Sequence, residues 1–233
     1  MQDSVLYAVC NNAGIAGVED IKELFNVNVR GPKRVTDAFL PLLDQKEGRV
    51  VMISSGAASQ CVEKCSEERR QFFTDQSVTW AQCEAVVDQA ETFFTAEDFT
   101  AAGCSGNMGG YGLSKALLNS YTIACAREHP HLSVNACSPG MINTDLVQNF
   151  APRWFPASVT SWLAWLVVGA KSPDEGTVAP MHLLFGDIPE AHGWYFGSDA
   201  KRSPLDKYRA PGTPPYEPSD LDGSLKPAEK SKL

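Results

Sequence analysis

Residues 108 to 137 read MGGYGLSKALLNSYTIACAREHPHLSVNAC, and this stretch decides the fold. Met108 to Arg127 has a helical pattern that ends at His129-Pro130, because helical backbone is disfavoured directly before a proline. Leu132 to Cys137 is then a short apolar run, which is typical of a buried strand. A helix that leads into a buried strand is the second half of a β–α–β unit and predicts a parallel sheet.

The same alternation continues outward along the chain. Three further apolar runs predict strands: Ser4 to Cys10, Arg49 to Ser54, and Gly193 to Ser198. Two further segments predict helices: Glu19 to Leu43 with a kink at Gly31-Pro32, and a capping-box start at Ser172 that runs to about Phe185. The sequence therefore predicts an α/β fold, a parallel sheet covered by helices on both faces. Ligands of such sheets bind beyond the carboxyl ends of the strands.

Composition excludes several classes of protein. The 233 residues contain 20 basic and 28 acidic side chains, a net charge of −8, which argues against a nucleic-acid partner. The longest apolar run, Trp162 to Ala170, is far short of the ~20 residues of a membrane span. The first residues lack the basic and apolar stretches of a secretory signal.

Two segments interrupt the alternation. Residues 56 to 107 separate a predicted strand from the helix that follows it, and they predict a helical insertion with helices over Ser66 to Thr74 and Val78 to Phe94. The second segment is the proline-rich tail, residues 203 to 233, which we expect to be extended and mostly unpacked. Residues 1 to 202 are then the folded domain.

The cysteines favour a reducing compartment. There are seven, an odd number, whereas secreted disulfide scaffolds are short and usually contain an even number. Cys61 and Cys65 form a C-x3-C pair without a nearby histidine, so two free thiols are favoured over a zinc site. No metal site is predicted.

Tyr111 and Lys115 form the most informative pair in the sequence. A spacing of four residues places both side chains on one face of a helix, one turn apart. A neighbouring ammonium favours the phenolate and lowers the pKa of a tyrosine from its ordinary value of about 10. Such a pair predicts a general acid or base, although the alternative of two solvent-facing side chains is common.

Small and polar residues follow the predicted strands. Asn11-Asn12-Ala13-Gly14 follows the first, Ser54-Ser55 the second, and Ser138 to Thr144 (SPGMINT) the third. Each alone is compatible with an ordinary turn. Together with Tyr111 and Lys115, in this order, they resemble the motifs of the short-chain dehydrogenase/reductase family: NNAG, the helical Asn28, Ser55, YxxxK, and PGxxxT.

The resemblance implies a role for each residue. Tyr111 is then the catalytic acid or base, Lys115 lowers its pKa and holds the nicotinamide ribose, Ser55 polarises the substrate carbonyl, and Asn28 anchors a water of a proton relay. It implies NADPH as cofactor, with NADH not excluded, and an aldehyde, ketone or quinone as substrate. The implied cofactor-binding residues are Asn11, Ala13, Gly14, Tyr111, Lys115, Pro139, Gly140, Ile142, Asn143 and Thr144.

The insertion narrows the resemblance to monomeric carbonyl reductases. Ser55 and Tyr111 are 56 positions apart, and the segments SPDEGTVAPMHLLF and GWYFGSDAK are also similar to that subfamily, so that the likeness covers residues 4 to 202. In that subfamily the insertion covers the helix face used for tetramer packing, which implies a monomer. Residues 147 to 169, rich in tryptophan, are interpreted as an apolar lid over the substrate or as plain core.

The sequence also departs from the family. A TGxxxGxG turn normally opens the fold and holds the dinucleotide phosphates, and nothing here matches it; Gly103 to Gly112 is glycine-rich but follows no strand. We therefore expect an N-terminally truncated Rossmann-type sheet, short of about 75 residues at ~25 per β–α unit. The alternative function is an inactive remnant or mis-assigned fragment that acts, if at all, as a binding protein.

The last three residues, Ser231-Lys232-Leu233, spell a peroxisomal import signal. They predict a peroxisomal protein that binds the import receptor through this tripeptide. A coincidental basic end on a cytoplasmic protein is the alternative.

Overall fold

The computed structural model describes residues 5–93, 95–105, 108, 110–142, 171–188 and 191–218. Within them the strands form one parallel sheet in the order β1-β2-β3-β4, with β1 at Ala8–Asn11, β2 at Arg49–Ile53, β3 at Ser133–Cys137 and β4 at Tyr195–Phe196. The register pairs Val9 with Val50, Val51 with Asn135, and Cys137 with Phe196. The predicted α/β class with a parallel sheet is confirmed.

The helices follow the predicted alternation, with differences at their ends. They are α1 (Ile21–Phe25), α2 (Gly31–Phe39), α3 (Gly56–Glu63), α4 (Glu67–Thr74), α5 (Trp80–Ala90), α6 (Ala96–Ala101), α7 (Tyr111–Glu128), α8 (Pro173–Gly176) and α9 (Val178–Phe185). The Ser172 capping box is confirmed: Ser172 Oγ accepts from Glu175 N and Glu175 Oε2 from Ser172 N. Because α7 begins only at Tyr111, the predicted start at Met108 is wrong: Met108 and Gly110 have φ of 59° and 85°, outside the right-handed helical region.

The predicted kink takes the form of a π-turn. Asn26–Arg30 forms the π-helical turn between α1 and α2, and Pro32 follows in the first turn of α2, where its missing N–H is tolerated. Asn28 lies in this turn and is fully buried. The chain therefore continues as a helix through Gly31-Pro32, and the irregularity precedes the proline.

The first strand is shorter and more exposed than predicted. It starts at Ala8 and not at Ser4, with Leu6 making only an isolated bridge to Leu43. Val5 and Tyr7 are exposed because β1 is bonded to β2 alone among the described strands.

Helix α7 is the centre of the core. Its residues from Tyr111 to Ala126 are all buried, which requires neighbours on every side of the helix. The sheet covers one side, and the insertion helices α3, α4 and α5 cover others. Trp80 of α5, for example, packs edge-on against Tyr121 with ring centroids 5.2 Å apart. The predicted helical insertion is thus an integral part of the core.

The described part of the tail, residues 203 to 218, contains no helix or strand, as predicted, and is mostly exposed. Its first residues, however, are packed: Ser203 is buried, and Leu205 contacts the apolar core. Arg209 pairs with Asp199 and donates to Ser203 Oγ (2.9 Å). Side-chain bonds of this kind hold extended backbone in place without a helix or a sheet.

Candidate active site

The site lies at the carboxyl ends of the strands, where the loops after β1, β2, β3 and β4 meet. Ser54 N donates to Cys137 O (2.7 Å), and Ser138 N donates to Phe196 O (2.9 Å), which ties these loops together. The parallel topology places all of them on one edge of the sheet, as the sequence predicted.

Tyr111 and Ser55 are joined by a hydrogen bond. Ser55 caps α3, with its Oγ accepting from Ala57 N (3.2 Å), while Tyr111 is the first residue of α7. Burial raises the pKa of Tyr111, and the hydrogen bond with Ser55 opposes this rise. The phenol consequently stays protonated at neutral pH.

Lys115 is buried one turn along the same helix face. Its Nζ donates to Ile53 O at 2.8 Å and lies 5.8 Å from the centroid of the Tyr111 ring. Desolvation lowers the pKa of Lys115 to about 8. Burial raises the pKa of Tyr111 in this structure, and the effect of Lys115 on that pKa, implied by the resemblance, stays a prediction.

Asn28 clamps the loop after β1 to the start of α7. Its Oδ1 accepts from Ile15 N (2.8 Å), and its Nδ2 donates to Ile15 O (2.9 Å) and to Ser114 Oγ (3.0 Å). Ser114 Oγ in turn donates to Tyr111 O (2.8 Å). Asn28 thus positions Tyr111 through Ser114, and its role toward a relay water stays a prediction.

The residues of the NNAG motif have two different roles. Asn11 is structural, whereas Ala13 and Gly14 lie beside the reactive groups. Asn11 is buried, and its Nδ2 donates to Thr36 Oγ1 (3.0 Å) and Met52 Sδ (3.2 Å), so its amide joins α2 to β2. Gly14 lies close to the reactive groups: a Cβ there would be 3.2 Å from Lys115 Nζ and 3.3 Å from Asn28 Oδ1. Ala13 is exposed beside it.

The turn after β3 completes the rim of the site. Gly140 has φ of 91° and lies against Ser198, and Pro139 precedes it. Ile142 packs on Gly176 of α8, where a Cβ would be 2.8 Å from Ile142 Cδ1. The predicted residues Asn143 and Thr144 and the predicted lid, 147 to 169, lie outside the described residues.

Comparison with known proteins agrees with this arrangement. A family model described as short chain dehydrogenase matches residues 4–67. Carbonyl reductase [NADPH] 1 of Macaca fascicularis is 27% identical over 210 residues, 82% of this chain and 67% of its own. The chain is therefore similar to proteins of the short-chain dehydrogenase/reductase family over these residues.

Further relatives are similar over less of their length or at lower identity. (+)-Neomenthol dehydrogenase of Arabidopsis thaliana is 28% identical over 163 residues, 70% of this chain and 49% of that protein. The structure of menthone neomenthol reductase from Mentha piperita aligns with a TM-score of 0.62 at 22% identity, covering 83% of this chain and 70% of that one. The chain spans about half the length of the first curated relatives it matches.

Three further residues that the sequence did not assign to the site reach it: Ser138, Tyr195 and Tyr208. Ser138 Oγ accepts from Gly56 N (3.2 Å) and Gly140 N (3.1 Å) and is hydrogen-bonded to Tyr195. Tyr208, in the tail, lies over the loop next to Ser55, since a Cβ on Gly56 would be 2.9 Å from Tyr208 Cε2. Only the fold brings the tail there, so no local pattern could have identified Tyr208.

Two kinds of feature are absent from the residues that the structure describes. Over those residues, no group of three histidine, cysteine or acidic side chains is placed to hold a metal ion. No helix found there combines the length and apolar character needed to cross a bilayer.

Proposed function

We propose that this chain is an NAD(P)H-dependent reductase of aldehyde, ketone or quinone carbonyls. The observation that carries the proposal is the buried hydrogen bond between Tyr111 and Ser55, with the Lys115 ammonium one helical turn away. Two of the relatives named above, the neomenthol dehydrogenase and the carbonyl reductase, support this reaction type.

Each residue of the site has a separate role in carbonyl reduction. When bound, the reduced nicotinamide supplies the hydride. Ser55 donates a hydrogen bond to the carbonyl oxygen, and Tyr111 delivers the proton to that oxygen as negative charge develops there. Because burial raises the pKa of Tyr111, the phenol carries the proton that reduction needs at neutral pH. Asn28 and Ser114 hold the first turn of α7 and keep Tyr111 in register with Ser55.

The residues beside Lys115 fit a nicotinamide ribose. An ammonium has three donors, and the described structure gives Lys115 Nζ one acceptor, Ile53 O. The space in front of Nζ is kept open by Gly14, whose Cβ would partly fill it. Lys115 would therefore donate to the ribose hydroxyls. Ala13, Gly14 and the turn that contains Gly140 and Ile142 would surround the nicotinamide ring. NADPH is proposed over NADH because the carbonyl reductases among the relatives are named for it.

Binding and turnover of NADPH test the proposal. The purified 233-residue chain is titrated with NADPH and with NADH by fluorescence, and consumption of each is then followed with an aldehyde, a ketone and a quinone. We expect micromolar binding of NADPH, weaker binding of NADH, and turnover of at least one carbonyl class. A chain that binds neither nucleotide contradicts the proposed function.

A monomer is proposed from the position of the insertion. Arg30, in the π-turn, pairs with Glu84, Asp88 and Glu91 of α5, so that α5 covers this part of the helical face. Light scattering of the purified chain should give the mass of one copy, 25.3 kDa. A tetramer at micromolar concentration would contradict it.

A peroxisomal location is proposed from the terminal tripeptide Ser231-Lys232-Leu233. A fluorescent protein fused to the N-terminus should accumulate in peroxisomes, and deletion of Leu233 should redistribute it to the cytosol. The matched control replaces Lys230, which lies outside the tripeptide, with alanine. An unchanged location after deletion of Leu233 would count against recognition by the import receptor.

A further inference from the structure

Residues 203 to 213 of the tail, which we call the strap, run beside α3. The beginning of the strap is fixed to that helix, because Ser59 Oγ donates to Pro204 O (3.0 Å). Leu205, one residue later, packs against the apolar core. The strap therefore leaves the core next to the helix that Ser55 caps.

Arg209 fixes the far part of the strap. Its side chain is only 7% exposed and pairs with Asp199. Arg209 Nη1 donates to Thr213 O (2.9 Å), and Asp199 Oδ2 accepts from Gly212 N (2.9 Å). Because a guanidinium carries several donors in a planar fork, this one side chain holds the extended backbone at more than one point. The bonds that place the strap thus do not involve Tyr208, which lies between the two fixed parts.

The ring of Tyr208 lies next to the loop that carries Ser55. It meets Gly56, the residue directly after Ser55, by one edge: a Cβ on Gly56 would be 2.9 Å from Tyr208 Cε2 and 3.3 Å from Tyr208 Cδ2. Gly56 N in turn donates to Ser138 Oγ (3.2 Å), inside the site. Since the contact uses only that edge and Tyr208 is 44% exposed, part of the ring is accessible beside Ser55.

Tyr195 lies close to both Tyr208 and Tyr111. Burial raises the pKa of Tyr195, and its hydrogen bond with Ser138 opposes the rise. The phenols of Tyr208 and Tyr111 are both near enough to add to that rise. Tyr208 therefore borders the same group of hydroxyls that contains the proposed proton donor.

We propose that Tyr208 is a substrate-binding residue that selects planar, aromatic carbonyl compounds by stacking on their rings. This role rests on the proposed reductase function, in which the carbonyl oxygen lies at Ser55 and Tyr111. The nicotinamide takes the side of Gly14, so the body of the substrate extends toward Gly56 and the strap. A benzene ring bound there buries accessible ring surface of Tyr208 and gains the additional attraction of an aromatic pair. A saturated ring of the same size is puckered and gains only the burial.

Two aldehydes of matched size test this role: benzaldehyde, which is planar, and cyclohexanecarbaldehyde, which is not. The ratio of their kcat/KM values with NADPH is measured in wild type, in Tyr208→Phe, which keeps the ring, and in Tyr208→Leu, which keeps only apolar bulk. We expect Tyr208→Phe to retain the preference for benzaldehyde and Tyr208→Leu to lower it by about 3–10-fold, through KM for benzaldehyde. Tyr7→Leu is the matched control, since Tyr7 is 38% exposed at the opposite end of β2 and should leave the ratio unchanged.

A binding measurement separates a failure of this role from a failure of the reductase function. Benzyl alcohol is added with NADP+ to protein that contains isotope-labelled tyrosine, and the ring signals are assigned by single replacements with phenylalanine. We expect the signals of Tyr208 and Tyr111 to shift and that of Tyr7 to stay. A wild type that reduces neither aldehyde contradicts the reductase function, and the shifts then decide the role of Tyr208. The role is overturned if Tyr208→Leu keeps the wild-type ratio, if Tyr7→Leu lowers it equally, or if benzyl alcohol leaves the Tyr208 signal unchanged.

Discussion

Replacement of Tyr111 with phenylalanine is expected to lower kcat by about 10²–10⁴-fold, the usual contribution of a positioned general acid. The variant keeps the aromatic ring that packs at the start of α7 and loses the hydroxyl that delivers the proton. Ser55 is expected to hydrogen-bond the carbonyl oxygen without transferring its proton, so it does not replace Tyr111 as the acid. Steady-state turnover with NADPH and the best carbonyl substrate measures the loss.

The binding of NADPH separates a chemical defect from a folding defect. Lys115 and Gly14 are unchanged in Tyr111→Phe, so the affinity for NADPH should stay within a few-fold of wild type. Tyr7→Phe is the matched control, since it removes a phenolic hydroxyl beside Arg49, at the opposite end of β2, and should leave kcat unchanged. A Tyr111→Phe variant with kcat within tenfold of wild type would show that another group supplies the proton.

Replacement of Lys115 with methionine is expected to impair function and to stabilise the fold. Loss of a charged hydrogen bond to the ribose should reduce kcat/KM by about 10–100-fold, mainly through KM for NADPH. Stability should change in the opposite direction. The pKa of Lys115 in the fold is about 8, below the ordinary 10.5, so the buried ammonium destabilises the protein at pH 7 by about 3 kcal/mol at most.

The lowered pKa of Lys115 also predicts how the stability of the wild-type protein changes with pH. Between pH 8 and 10.5 the unfolded chain binds the lysine proton more tightly than the folded chain, so wild-type stability rises with pH in this window. Urea denaturation should therefore show Lys115→Met about 1–3 kcal/mol more stable than wild type at pH 7, with the difference narrowing as the pH approaches 10. The exposed Lys64, replaced in the same way, should change stability by less than about 0.5 kcal/mol.

A destabilised Lys115→Met variant would contradict this account of the site. It would mean that the bond from Nζ to Ile53 O contributes more to the folded state than desolvation of the ammonium removes. The pairing of lost activity with gained stability is the expected signature of a buried charge kept for function.

Local patterns in the sequence predicted much of the fold. The apolar run at Arg49 is a strand, the capping box at Ser172 starts a helix, and α7 follows its predicted course apart from its first turn. These features depend on hydrogen bonds and on the spacing of apolar side chains within a few residues, so a single sequence is enough to recognise them. The exceptions have local causes that the pattern does not show: the π-turn precedes Pro32, and the positive φ at Met108 and Gly110 delays α7.

Which residues would gather at the site was also predictable to a large extent. Tyr111 and Lys115 share a helix face because of their spacing, and Ser55 and Gly14 reach them because parallel strands end at the same edge of the sheet. Ser138 and Tyr208 were missed, since a serine after a strand or a tyrosine in a proline-rich tail has no distinctive spacing. Their neighbours are far away in the chain, and only folding brings them together.

By itself the sequence determined the order of strands and helices, the family motifs and the side chains available for proton transfer. Only the tertiary structure decided how those side chains behave. Burial keeps Tyr111 protonated although Lys115 is adjacent, and it lowers the pKa of Lys115 itself. The fold also packs the first residues of the tail against the core. Desolvation and long-range contacts depend on all the groups that surround a side chain in the folded protein. A sequence motif shows only which residues lie close to it along the chain.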